Sequence, residues 1–265
     1  MTTDQVMQLF PAYMLVLCRI SAFVVVAPIF SSRSLPGPFK AAISVFIALL
    51  VFLTVGFDNP VPTDATYILA VLKEIIAGLF IGYTASLFFS LIQTAGTFID
   101  MQIGLGMANI LDPISGVSAP LFGNLKYMLM MLVFLSMNGH HYLLGAIMNS
   151  YKWLPLENAM FQTVYEGRLT EFLVRTFADT FMLSLQIAAP LVVAMFITDI
   201  GLGLLARTAP QYNVFVIGVP IKLLIGLALL ILLMPGFSTL FQIIFDRMFS
   251  TLEKMFVIMK ATSSG

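Results

Sequence analysis

Charge is what this chain has least of. Only 10% of its 265 residues are Asp, Glu, Lys or Arg, against about a quarter in a soluble domain. With 60% hydrophobic residues and a mean hydropathy of +1.00, the chain belongs instead with integral membrane proteins. The few charges cancel, 13 basic against 13 acidic, which removes the electrostatic case for binding nucleic acid. Cysteine is nearly absent: Cys18 stands alone in an apolar run, so it forms no internal disulfide and reads as a small buried hydrophobe. The N-terminus, Met1-Thr2-Thr3-Asp4, lacks the positive region of a cleaved signal peptide. Arg19 also interrupts the first apolar stretch, which therefore reads as a retained helix.

Signatures of catalysis and metal binding are missing too. Asn138-Gly139-His140-His141 sets two histidines side by side, but neighbours on a helix project about 100° apart. No HExxH and no matching carboxylate array accompanies them, which favours a structural or interfacial role. Gly201-Leu202-Gly203 lacks the strand and third glycine of a nucleotide fingerprint, and no Ser-His-Asp arrangement or phosphate loop is present. The expectation is a protein without cofactor, metal or catalytic activity.

What the chain has is apolar segments of spanning length. They run over about 6–29, 39–55, 67–91, 125–147, 172–205 (interrupted) and 214–233, near the roughly 20 residues that cross a hydrocarbon core. Pro36-Gly37-Pro38 makes a rigid turn, Asn59-Pro60-Val61-Pro62 separates the second and third segments, and Met234-Pro235-Gly236 is expected to end the last. Arg33 and Lys40 in the first loop place that loop toward the cytoplasm, although later loops carry both signs. Residues 151–175 are the most polar region, with Trp153 and Tyr165 suited to an interface. Beyond it, Phe237, Phe241, Phe245, Met248, Leu252, Met255 and Met259 recur at helical spacing, an apolar stripe expected to dock on a neighbouring subunit.

The stretch from Gly96 to Pro113 breaks the rules for a lipid-facing span. Asp100 and Gln102 are polar, Gly96, Gly104 and Gly106 are expected to loosen the helix, and Asp112-Pro113 to stop it. Irregular backbone at membrane depth survives only when buried in protein or lining an aqueous cavity. Gly78 and Gly82 carry the small-xxx-small spacing that lets helices approach closely.

Arg19, Lys73, Glu74, Asp100, Lys126, Asp179, Asp199 and Lys222 fall in or beside apolar segments. Each costs about 2.5–3.5 kcal/mol at a bilayer centre, so each needs a partner or water. They serve either as ion or substrate sites of a transporter or as pairs that set register between helices or subunits. With no cluster of carboxylates, pairing is favoured.

Taken together, these residues resemble the FliR family, the flagellar members of the type III secretion export-gate proteins. The resemblance is carried by Arg19, Pro36-Gly37-Pro38-Phe39-Lys40, Lys73-Glu74 with Gly78 and Gly82, and Ala95-Gly96 through Asp100, Gln102 and Gly104. It continues through Asp112-Pro113, Asn138-Gly139-His140, Ala189-Pro190, Gly203 to Gln211 with Arg207, and Asn213 to Gly218, in order over nearly the whole chain. It implies an all-α fold of broken helices and hairpins, with a FliP-like part over 1–189 and a FliQ-like hairpin over 190–265. It implies one copy assembled with five FliP-type and four FliQ-type subunits, beside FlhB- and FlhA-type export components. That cone sits in the bacterial inner membrane at the flagellar basal body, partly above the membrane plane, and passes unfolded substrates. A segment over about 104–123 is similar to the family's pore plug, with Gly104, Gly106, Met107, Ile110, Asp112, Pro113 and Phe122 as its residues. Arg19, Lys73, Glu74, Asp100, Asp199 and Arg207 become assembly charges. The alternatives are a stand-alone ion-coupled transporter using Asp100, Asp179 and Asp199, an intramembrane enzyme using His140 or His141, and a virulence secretion homologue.

Overall fold

Backbone groups removed from water must pair within their own segment, and a chain this apolar does so with helices. The computed structural model describes residues 3–32, 35–55, 66–104, 121–154, 156, 167–211 and 213–260. Among them are seven α-helices and no strand: α1 Thr3–Val26, α2 Gly37–Val55, α3 Thr66–Ile103, α4 Leu121–Ser136, α5 Gly139–Trp153, α6 Arg168–Thr208 and α7 Val214–Lys260. Five are long and apolar enough to cross a membrane, six if the bent pair α4 and α5 forms one span.

Several boundaries differ from the hydropathy reading. The third span does not end near Leu91, and Gly96 does not loosen it: α3 runs unbroken for 38 residues. Polar residues are accommodated because the Thr94 and Thr97 hydroxyls donate back to the Ser90 and Gln93 carbonyls. The helix stops at Gly104, whose φ of +94° favours glycine and whose N–H donates to the Asp100 and Met101 carbonyls. The 125–147 span is two helices, parted at Asn138, which sits in the left-handed region at φ 57°. The interrupted 172–205 segment is a single helix with Pro190 inside it. Met234-Pro235-Gly236 does not end the last apolar run either; α7 carries Pro220 and Pro235 over its 47 residues. Each proline removes one N–H, and in an apolar setting the remaining ladder still outweighs any alternative pairing.

The chain divides into two units, residues 1–87, 138–177 and 246–265, and residues 88–137 and 178–245. In the first, α1 crosses α3 at close range. A Cβ on Gly78 would run into the Arg19 carbonyl, and one on Gly82 would lie 3.1 Å from that of Phe23. In the second, Ala95, Ile99, Ile103, Phe122, Ala188, Leu191, Met195 and Leu230 form the buried core. Gly96 abuts the backbone of Gly123, which brings α3 and α4 together. Here α6 and α7 form an antiparallel hairpin, since Leu202 meets Gly218 while Asp199, earlier on α6, meets Lys222, later on α7.

The apolar stripe of α7 is not free for a neighbour. Phe241, Phe245, Met248, Leu252 and Met255 are all buried within the chain. In the second unit Phe245 packs 6.1 Å from the Phe89 ring and 5.0 Å from Phe134. In the first, the Thr84 hydroxyl points at the Met255 sulfur, 3.5 Å away.

Candidate functional site

The second unit gathers its polar side chains where α3 ends and α4 begins, at the two borders of residues 105–120. A helix leaves its first four N–H groups without intrahelical partners. At α4 two of them are taken by a side chain from another helix: the Asp100 carboxylate accepts from Phe122 N–H at 3.1 Å and Gly123 N–H at 3.4 Å. The same residue's carbonyl accepts from Gly104 N–H at 3.2 Å. Asp100 thus touches the last residue before that stretch and the second residue after it. It is buried, and a carboxylate at a helix N-terminus is electrostatically favoured. The approach depends on the small residues: any Cβ at Gly96 would drive α4 away from Asp100.

One turn along, the end of α3 is tied to the α6–α7 hairpin. Lys222 Nζ donates to the Gln102 carbonyl at 3.2 Å, one of the acceptors a helix C-terminus leaves open. Lys222 also forms an ion pair with Asp199, and Gln102 Nε2 donates to Asp199 Oδ2 at 3.0 Å. Three helices therefore meet in one small polar cluster. It is partly open, with side-chain exposures of 16% for Lys222 and 38% for Asp199.

The first unit holds a different arrangement, sealed from solvent. Arg19 Nε donates to Glu74 at 2.5 Å, and one terminal nitrogen donates to the other Glu74 oxygen and to the Leu154 carbonyl, both at 2.9 Å. The second terminal nitrogen donates to Ser150 at 2.9 Å. The guanidinium lies 3.9 Å from the Tyr151 ring centroid, and Lys73 approaches Glu74 at 3.9 Å. This fork-on-carboxylate geometry ties α1 to α3 and α5.

Of the residues singled out in the sequence, the structure brings Arg19, Lys73 and Glu74 together, and sets Asp100 and Asp199 on the second cluster. Arg207 is exposed on α6 and joins neither, as is Asp179. Gly104 and Phe122 border the 105–120 stretch, Phe122 buried in the core. Gly106, Met107, Ile110, Asp112 and Pro113 lie outside the described residues. Gln102 and Lys222, also singled out in the sequence, complete the second cluster; Ser150 and Tyr151 complete the first, and nothing in their local sequence marks them as partners. The His140 and His141 rings lie with centroids 4.3 Å apart, tilted at 42°, at the start of a helix whose first turn follows the left-handed Asn138. Among the described residues no three His, Cys, Asp or Glu side chains converge on a point that would hold a metal.

Comparison with known proteins places this arrangement in context. The family model for bacterial export proteins, family 1, matches residues 10–248. The flagellar biosynthetic protein FliR of Bacillus subtilis (strain 168) is 35% identical over 252 residues, covering 95% of this chain and 96% of that protein. FliR of Escherichia coli (strain K12) is 31% identical over 254 residues, covering 95% of each. The Yop proteins translocation protein T of Yersinia pestis is 33% identical over 234 residues, covering 88% of this chain and 89% of its own length.

Proposed function

This chain belongs to the FliR family of bacterial export proteins, and on that premise we propose that it is a core subunit of the flagellar type III export gate. Its part is to form and close a pore for unfolded proteins, a channel role that needs no catalysis by this chain. The full-length likeness to proteins named for flagellar biosynthesis carries the reading. The closing element is the 104–123 segment, from Gly104 through Gly106, Met107, Ile110, Asp112 and Pro113 to Phe122. What supports it is Asp100, which holds both borders of that segment through its own hydrogen bonds. Partners are FliP-type and FliQ-type subunits, five and four to one copy of this chain, with FlhB- and FlhA-type components beside them, in the bacterial inner membrane and partly above its plane. Residues 1–189 correspond to a FliP-like part and 190–265 to a FliQ-like hairpin, to which α7 and the second half of α6 from Pro190 contribute.

Co-expression with FliP-type and FliQ-type subunits tests the reading. A large hetero-oligomer is expected in mild detergent, with raised ion conductance in liposomes when residues 107–110 are deleted. A chain that purifies alone and carries ions by itself would instead support a transporter. The relative named for Yop translocation gives a second reading, a virulence secretion system. Restoration of swimming to a flagellated bacterium lacking its own FliR separates the two.

A further inference from the structure

Lys126 is the unexplained charge of the second unit. Its side chain is 2% exposed, and its Nζ has no hydrogen-bond acceptor. The Phe237 ring, 5.4 Å away, is an attractive neighbour but leaves three N–H donors unused. A buried ammonium persists only beside a compensating charge. Lys126 lies one helical turn past Phe122 and Gly123, whose N–H groups are held by Asp100, and within electrostatic reach of that carboxylate. The other charges that meet the end of α3, Asp199 on α6 and Lys222 on α7, engage each other and Gln102.

We propose that Lys126 is a positioning residue: its ammonium is the counter-charge that keeps buried Asp100 a carboxylate and thereby fixes where α4 starts. A charged acceptor holds backbone N–H groups about twice as strongly as a neutral one, so the staple on Phe122 and Gly123 depends on a charge one turn away. The consequence for the pore rests on the closing role proposed above; the staple itself does not.

Amide hydrogen exchange at Phe122 and Gly123, in the full chain within the assembled gate, reads the staple directly. Asp100→Ala and Lys126→Met should each speed that exchange about tenfold, the loss expected for a charge-assisted bond. Lys126→Arg should restore the wild-type rate, and Lys126→Gln replaces the Met variant if that one does not accumulate. With Asp100→Asn already in place, Lys126→Met should no longer speed exchange, because the ammonium it removes is then the uncompensated partner. A role in packing alone would give additive effects. Unchanged exchange in both Lys126→Met and Lys126→Gln overturns the proposal. So do additivity with Asp100→Asn, and a Phe237→Leu variant that reproduces the loss. Ion conductance of the same samples separates the two readings. Faster exchange without leakage keeps the staple and removes the closing role, whereas leakage without faster exchange removes the staple.

Discussion

Two charge clusters, one in each unit, are made of similar residues and closed to different degrees. Around Arg19 the guanidinium makes four hydrogen bonds, to Glu74 at two positions, Ser150 and the Leu154 carbonyl, with Tyr151 beneath it, and both charged side chains are 0% exposed. At the end of α3 the network is looser: Asp199 and Lys222 reach solvent, and Lys126 has no acceptor. In the first cluster Glu74 grips the guanidinium at two positions away from water, so it acts as a weld. The second has spare donors and water access, the conditions under which a joint can exchange partners. It also borders the segment proposed to close the pore. The weld lies in the other unit.

The comparison breaks most readily at Glu74. Glu74→Ala leaves a fully buried guanidinium without its counter-charge, a loss of about 3–5 kcal/mol. Against a typical total stability of about 5–15 kcal/mol, the variant should accumulate poorly and melt early in detergent. Replacing both partners by apolar residues, Arg19→Met with Glu74→Leu, should cost less than Glu74→Ala alone. If the single variant melts like wild type, the weld does not hold α1 to α3.

Glycines give a second contrast, of smaller size. Gly96→Ala puts a methyl group into the Gly123 backbone, which has no flexible end to move aside, and should cost about 1–3 kcal/mol. Gly201→Ala, on an open face of α6, should stabilise the isolated chain by about 0.5–1 kcal/mol through helix propensity. Thermal melts of the two variants should move in opposite directions. A Gly96→Ala variant that melts at or above the wild-type temperature would mean that α3 and α4 do not approach as closely as Gly96 and Gly123 require.

Much of the fold is legible in the sequence because its physics is local. An apolar chain must close its backbone bonds within each segment, so the all-helical class follows from hydropathy and period. The ends of the helices do not. A hydropathy reading stops α3 near Leu91 because Thr94, Thr97 and Asp100 look like loop residues, yet both hydroxyls are satisfied by the helix's own carbonyls. Charged positions are legible as costs. Their partners are not, because Glu74 and Ser150 lie 55 and 131 residues from Arg19. The α7 stripe likewise announces burial without naming what covers it, and Phe89 and Phe134 of the same chain take the place expected for a neighbouring subunit.

The joint itself should respond mildly. Lys222→Met removes a partly exposed ion pair and one bond to the Gln102 carbonyl, together about 1 kcal/mol. For a chain of this size that is a fall of about 2–4 °C in Tm. The variant should assemble normally yet conduct more ions than wild type in the reconstituted gate. Failed assembly with wild-type conductance would move Lys222 from the joint to an interface between subunits.

The smallest effect belongs to the pair that looks most like the weld. Arg175 and Glu171 sit 2.5 Å apart, the same distance as Arg19 and Glu74, but at 77% and 62% exposure on the first turns of α6. Water and salt screen them, so the i,i+4 pair is worth less than about 0.5 kcal/mol. Glu171 also lies in the first helical turn, where the positive end of the helix favours a carboxylate. Glu171→Ala should therefore cost slightly more than Arg175→Ala, and both differences should shrink in high salt. A melt of each variant at two salt concentrations checks the order. If Glu171→Ala proved as damaging as Glu74→Ala, the pair would have to be buried by a partner in the assembled gate, and exposure in the single chain would no longer separate weld from surface.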